Sequence, residues 1–149
     1  MEKLDSIIFY NIDKAIRTYR NYAQRQLKKS GFAITIDQWL IIKSILENPG
    51  ITQNEIGDLV FKDNASVTRI IDLLVKSEYI IRNPNPEDRR KTNLEVTESG
   101  KEIINKVQTL VEDNRKTALK NVSEEELEIM NSALLKISEN CLNTKKQTR

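Results

Sequence analysis

Histidine is absent from all 149 residues of this chain. Its absence removes the commonest general base of protein catalysis and the commonest nitrogen ligand of zinc, so Ser-His-Asp and Cys-His chemistry are excluded. Glycine is nearly as scarce, and Gly31, Gly50, Gly57 and Gly100 stand too far apart to form a glycine-rich phosphate loop. The single cysteine, Cys141, has no second thiol with which to form an internal disulfide. Long apolar runs are missing too: Lys43 interrupts even the stretch from Trp39 to Ile45, well short of the roughly 18 residues that a membrane span requires. Met1-Glu2-Lys3-Leu4-Asp5 is polar and does not read as a secretory leader. These absences lead to the expectation of a cytoplasmic protein that is not an enzyme, needs no cofactor or metal, and has no membrane partner. Aromatic residues make up only 5% of the chain, so aliphatic side chains must fill its core.

What is present suits a folded, helix-rich protein: 38% hydrophobic and 31% charged residues, with three prolines. The length favours a single domain over residues 1–149. Twenty-four basic against 22 acidic groups leave a net charge of +2, too near neutral to announce nucleic-acid binding. Any basic surface has to come from local arrangement.

Leu4, Ile7, Ile8, Ile12, Ala15, Ile16 and Tyr19 recur at three- and four-residue intervals, predicting an amphipathic helix of about 25 residues before Gly31. By itself such a helix is either a core element or a dimerisation element. The other end of the chain bears on that choice. From Glu98, Ile103, Ile104, Val107, Leu110, Val111, Ala118 and Leu119 form an apolar stripe to about Val122. Ser123 and Glu126 have capping-box spacing and open a second helix carrying Leu127, Met130, Leu134, Ile137 and Leu142. Three amphipathic helices offer more apolar surface than a small central lobe can cover, so residues 1–30 and 98–143 are expected to join two copies in a homodimer. The basic tail, residues 144–149, is expected to be flexible.

Between these arms lie shorter elements. Thr35 and Gln38 have capping-box spacing and open a helix bearing Trp39, Leu40, Ile42, Ile45 and Leu46, which the Asn48-Pro49-Gly50 turn ends. Thr52 and Glu55 repeat the device for a short helix expected to bury Ile56, Leu59 and Val60. Asp63 or Asn64 can cap a third helix with Val67, Ile70, Ile71 and Leu74 inward and Ala65, Ser66, Thr68, Arg69, Asp72 and Lys76 outward. Tyr79-Ile80-Ile81-Arg82 then reads as a strand, residues 83–88 as a polar proline-containing loop, and Thr92-Asn93-Leu94-Glu95-Val96 as a half-buried strand. Thr97 can cap the long helix that follows.

This order predicts a mainly α protein with a small β-hairpin (α+β): a winged helix-turn-helix lobe over residues 35–97, flanked by N- and C-terminal dimerisation helices. In such a lobe one helix enters the major groove and the hairpin reaches the flanking backbone or minor groove of double-stranded DNA. Asn64, Ala65, Ser66, Thr68 and Arg69 are the expected groove contacts, the hydroxyls suiting phosphates or base edges and Arg69 a guanine or phosphate. At the hairpin tip, Arg89, Arg90 and Lys91 are consecutive cations, and a guanidinium there suits a narrow minor groove. Asp88 is placed to pair with Arg90 and orient it. Alone, each feature also fits a solvated charged surface. Moreover, Asp63, Asp72 and Glu78 partly offset Lys62, Arg69 and Lys76, which keeps open an alternative in which the lobe binds a protein partner instead of DNA.

Four fragments together, Ile51-Thr52-Gln53-Asn54-Glu55-Ile56, Ser66-Val67-Thr68-Arg69-Ile70-Ile71-Asp72-Leu73-Leu74, Pro86-Glu87-Asp88-Arg89-Arg90 and Leu94-Glu95-Val96-Thr97-Glu98-Ser99-Gly100, resemble the multiple-antibiotic-resistance regulator (MarR) family. The resemblance implies a homodimeric transcriptional regulator, usually a repressor released by a small ligand, on pseudo-palindromic promoter DNA. It also implies that Asp88 and Arg90 form the wing pair, with Arg90 in the minor groove. Two departures stand out. Glu78 occupies the place where the family usually has glycine after the recognition helix, so the wing is expected to leave at an altered angle. The family's peroxide sensors use a cysteine near the N-terminus, whereas Cys141 lies near the other end, so redox sensing is not expected. For an aromatic or phenolic effector, Tyr10, Tyr19, Tyr22 and Trp39 are the candidate pocket residues, although plain core packing is the favoured role for Trp39.

Overall fold

The computed structural model describes the backbone of residues 1–147 and the side chains of residues 1–144. Two compact units are distinguished by their internal contacts, one over residues 1–114 and one from Arg115 onward. In the first unit, a short 3-10 turn (Leu4–Ser6) precedes α1 (Ile8–Lys29), α2 (Ile36–Glu47), α3 (Gln53–Val60), α4 (Asn64–Lys76), β1 (Ile80–Pro84) and β2 (Thr92–Val96). Helix α5 (Glu98–Ala118) runs across the boundary, and α6 (Glu124–Gln147) belongs to the second unit. The mainly α chain with one small hairpin is therefore as expected. Of the residues expected to form a tail, 144–147 lie in α6, which continues through Gln147, while residues 148 and 149 lie outside the described residues.

Local capping explains the helix starts. Thr35 Oγ1 accepts from the Gln38 backbone N–H (3.1 Å) and Gln38 Oε1 accepts from the Thr35 N–H (3.0 Å), a complete capping box. Gln24 of α1 also accepts from the Ile36 N–H at 3.1 Å, docking α1 on the start of α2. After α2, the Ile51 N–H donates to Asn48 O at 3.0 Å with Gly50 at φ 84°, the positive dihedral a Pro-Gly type II turn needs. Thr52 accepts from the Glu55 N–H at 3.2 Å, but Glu55 returns to the Thr52 hydroxyl (3.0 Å), not to its backbone. Asp63 caps α4, Thr97 accepts from the Gly100 N–H at 3.0 Å to cap α5, and Ser123 and Glu126 form a reciprocal box at 3.1 Å in each direction.

The core of the first unit is aliphatic: Ile34, Ile41, Ile42, Ile56, Val67, Ile71, Leu74, Ile80 and Val107 are all but fully buried. Burying each such side chain contributes on the order of 1.5–3 kcal/mol. Trp39 and Tyr79 pack against this cluster from its margin. One expected core residue is misplaced, because Leu59 is 51% exposed. Helix α3 buries Ile56, Gly57 and Val60, an arc that leaves Leu59 outside it. Gly57 is the reason for that rotation: a Cβ there would lie 2.8 Å from Lys62 O and 3.6 Å from a Val67 methyl, so its bare backbone lets the next helix approach. Ile70, expected inward, is only half-buried.

The joint between α4 and the hairpin is closed without glycine. Tyr79 N–H donates to Leu74 O and Glu78 N–H to Val75 O, both at 3.0 Å, with Glu78 at φ 64°. These are the two hydrogen bonds of a Schellman motif, with Glu78 in the left-handed position and Tyr79 beyond it. The first strand therefore starts at Ile80, one residue later than expected, and continues to Pro84, pairing antiparallel with β2 from Ile80↔Val96 to Pro84↔Thr92.

The long helices are weakly buried. In α1 only Ala23 and Leu27 are buried, while Leu4 ahead of it and Ile8, Phe9 and Ile16 within it are exposed. In the second unit, Ile129, Met130, Leu135 and Leu142 of α6 are exposed, and a shallow groove along that helix is lined by Leu127, Met130 and Leu134.

Candidate functional site

The exposed N-terminal face of α4 carries two small polar networks, and both begin with helix ends. In the first, Asp63 Oδ1 accepts from the Ser66 backbone N–H at 2.8 Å, and the Ser66 hydroxyl donates to Asp63 Oδ2 at 3.2 Å. The Arg69 guanidinium, one turn further on, donates to Ser66 Oγ at 3.3 Å. The Ser66 N–H and then its hydroxyl hold the Asp63 carboxyl below its ordinary range against an opposing effect of desolvation, with a lesser contribution from the Arg69 charge. Asp63 therefore stays ionised and steadies both expected reading residues. Arg69 remains solvent-exposed beyond this tether.

The second network crosses between helices. Gln53, the first residue of α3, donates from Nε2 to Thr68 Oγ1 at 2.6 Å and to Asn64 Oδ1 at 3.0 Å. The Thr68 hydroxyl donates back to Asn64 O at 2.9 Å. Thr68, expected to read DNA, thus has its hydroxyl engaged on both sides within the protein. Ala65 lies exposed between the two networks. Gln53 was not singled out among the candidate contacts in the sequence, where it reads only as the residue after an N-cap.

The wing, formed by β1, β2 and the loop between them, supplies the cations. Its tip is shaped by Asn85, whose side chain accepts from the Glu87 N–H at 2.9 Å and the Asp88 N–H at 3.3 Å, and by an Asn85 N–H to Lys91 O bond at 3.1 Å. Asp88 does not pair with the Arg90 guanidinium as expected. Its carboxylate accepts from the Arg90 backbone N–H at 3.0 Å, a local turn contact that a residue two positions away reaches more readily than it reaches the end of a long side chain. Arg89, Arg90 and Lys91 are exposed, and none makes an ion pair among the described residues.

Two contacts outside the predicted set bind the wing to α4. Arg82 of β1 forms an ion pair with Asp72 of α4, and the Thr97 hydroxyl donates to Glu78 O at 2.6 Å. Both join residues far apart in sequence, so no spacing rule announces them. Another ion pair, Lys62 to Asp37 at 3.2 Å, ties the turn before α4 to α2, with Arg20 of α1 at 3.8 Å from the same carboxylate.

The four candidate pocket residues are not brought together as a set. Tyr10 and Tyr19 lie about half a helical turn apart in direction on α1 and so face opposite sides. Tyr19, Tyr22 and Trp39 are half-buried. Trp39 packs on the core, has Lys43 Nζ 5.9 Å from its ring centroid, and buries an Nε1–H with no hydrogen-bond partner among the described residues. Cys141 is exposed on α6.

Known proteins share this fold. The MarR family model matches residues 34–92, which span α2 through the start of β2. The HTH-type transcriptional regulator MhqR of Bacillus subtilis is 24% identical over 133 residues, covering 89% of this chain and 90% of that protein. The reduced form of MarR from E. coli superposes with a TM-score of 0.73 at 25% identity, covering 88% of this chain and 96% of the other. A mutant of E. coli MarR complexed with operator DNA has the same fold, with a TM-score of 0.80 at 24% identity, covering 92% and 99%. The helix order, the wing and these likenesses agree: residues 34–92 match the MarR family model, and the chain is similar over most of its length to MarR-family winged helix-turn-helix regulators.

Proposed function

We propose that the chain binds double-stranded promoter DNA as a homodimer and works as a ligand-released repressor, with α4 in the major groove and the wing at the minor groove. The observation that carries this reading is the wing tip. Three consecutive cations, Arg89, Arg90 and Lys91, stand exposed on a loop held by its own hydrogen bonds, with no carboxylate paired to them among the described residues. Exposed cations on a preset loop suit phosphates and a narrow groove, and cost little reorganisation on binding. The reading also draws on the operator-DNA complex of the E. coli MarR mutant.

Dimerisation is supported by what each long helix leaves uncovered. Most of α1 buries nothing, and α6 has no buried residue in the described part, so a second copy is the natural cover for both apolar stripes. Two reading helices related by a two-fold axis would meet half-sites about one helical turn apart in a pseudo-palindrome. A small aromatic or phenolic effector is the proposed releasing ligand. The buried, unpartnered Trp39 Nε1–H is an open donor for such a ligand's oxygen. No helix among the described residues is long and apolar enough to cross a membrane, and a cytoplasmic, non-enzymatic role fits a regulator of this kind.

Selection from a random DNA pool, followed by titration at several salt concentrations, tests the reading. Arg90→Ala is expected to weaken binding on most sequences and to lower the slope of log K against log salt by about one unit. An unchanged slope and affinity would remove Arg90 from the interface.

A further inference from the structure

We propose that Gln53, on the helix before the reading helix, is a specificity-determining residue, and that with Asn64 it selects adenine. The proposal rests on the DNA-binding reading above and names the atoms that carry it out. Both residues are the first of their helices, α3 and α4. Gln53 Nε2 donates to Thr68 Oγ1 (2.6 Å) and Asn64 Oδ1 (3.0 Å) and also approaches Asn64 O (3.5 Å), while the Thr68 hydroxyl donates to Asn64 O (2.9 Å). Thr68 is therefore a bracket, not a reader.

What this network leaves unused decides what it can recognise. The Gln53 carbonyl Oε1 and the Asn64 amide Nδ2 have no hydrogen-bond partner among the described residues. An asparagine ordinarily reads adenine alone, offering the oxygen and nitrogen of one amide to N6 and N7. Asn64 Oδ1 already accepts from Gln53 at 3.0 Å, which turns that oxygen toward α3 and leaves Nδ2 as the amide group with no partner among the described residues. The missing acceptor stands on the neighbouring side chain, as Gln53 Oε1. Together the two amides present one acceptor and one donor group, the complement of adenine's N6 amino group and N7. Guanine would set O6 against Gln53 Oε1, two acceptors facing each other, and the pyrimidines each supply only one of the two functions. Exposed Asn64 is held by half-buried Gln53, so the pair is oriented before DNA arrives.

The experiment uses the full chain and the preferred site recovered from a random DNA pool. One adenine in each half-site is expected to be sensitive to both 7-deazaadenine and a purine lacking the 6-amino group, each replacement weakening binding about tenfold. Gln53→Met keeps the side-chain length without the amide, and Gln53→Ala removes both. Each is expected to lose about tenfold in discrimination at that position while keeping its thermal stability and its affinity for unrelated DNA. Adding Asn64→Ala to either should cost nothing further in discrimination, because the pair acts as a unit. If Gln53→Met retains the wild-type penalties for both modified bases, Asn64 reads alone and the proposal is overturned. A wild-type site with no such adenine overturns it equally, while a wild-type protein that enriches no sequence at all would overturn the DNA-binding reading itself.

Discussion

Replacing Glu78 by glycine is expected to stabilise the protein, and the magnitude follows from the turn after α4. Glu78 sits at φ 64° in a Schellman motif whose two hydrogen bonds are both formed at 3.0 Å. For an L residue this left-handed conformation costs about 1–2 kcal/mol, which glycine avoids. Glycine returns about 0.4–1 kcal/mol of that gain through the greater freedom of its unfolded chain. Glutamate also places a negative charge beside the C-terminal end of the α4 dipole, an unfavourable contact of about 0.3 kcal/mol at an exposed position. Together these give a gain of about 1 kcal/mol for Glu78→Gly, or roughly 3 °C in Tm for a chain of this size. Glu78→Ala separates the two effects, since alanine removes the charge but keeps the strained backbone, and its gain should be about 0.3 kcal/mol. Thermal unfolding followed by circular dichroism, at one fixed protein concentration because the proposed dimerisation would make Tm concentration-dependent, measures both. DNA affinity should stay within about threefold of wild type, since the wing already leaves through a fully bonded turn. A glycine variant no more stable than the alanine variant would refute the reasoning.

Two other predictions test the same joint and the α4 cap. Gly100→Ala would put a Cβ 2.3 Å from Tyr79 O and 2.7 Å from a Val96 methyl, so it should destabilise the protein by about 2–3 kcal/mol, read as a lower urea midpoint. For Asp63, the folded carboxyl is held below its ordinary 3.8, so its stabilisation is present above that value and is lost as pH falls through the lower folded pKa. The Tm advantage of wild type over Asp63→Ala should therefore be full at pH 7 and shrink below about pH 4, and an advantage undiminished at pH 2 would contradict the assigned cause.

Local physics made much of this protein legible in its sequence. Thr35 with Gln38, Asp63 with Ser66, Thr97 with Gly100 and Ser123 with Glu126 meet across a single helical turn, so spacing alone predicts their hydrogen bonds. The same holds for the Pro49-Gly50 turn and for the second strand, whose bounds match the expected Thr92–Val96. Helix order and hairpin together then specify the winged lobe, because each element's period and end signals depend on neighbours a few residues away.

Contacts between elements were decided only by packing. Leu59 has the right period for the core but lies outside it, because bare Gly57 brings the α4 side of α3 inward. Asp88 lies two residues from Arg90, yet it takes the backbone amide, since the tip folds into a tight turn. The Arg82–Asp72 pair and the Gln53 bridge to Asn64 and Thr68 depend on how β1 and α3 lie against α4, a relation that residue spacing does not encode. The sequence by itself determined where each helix begins and which face of the lobe is polar, because these follow from interactions within a turn or two. Which polar atoms on that face remain free was decided by the tertiary structure alone, because residues from separate elements occupy the others.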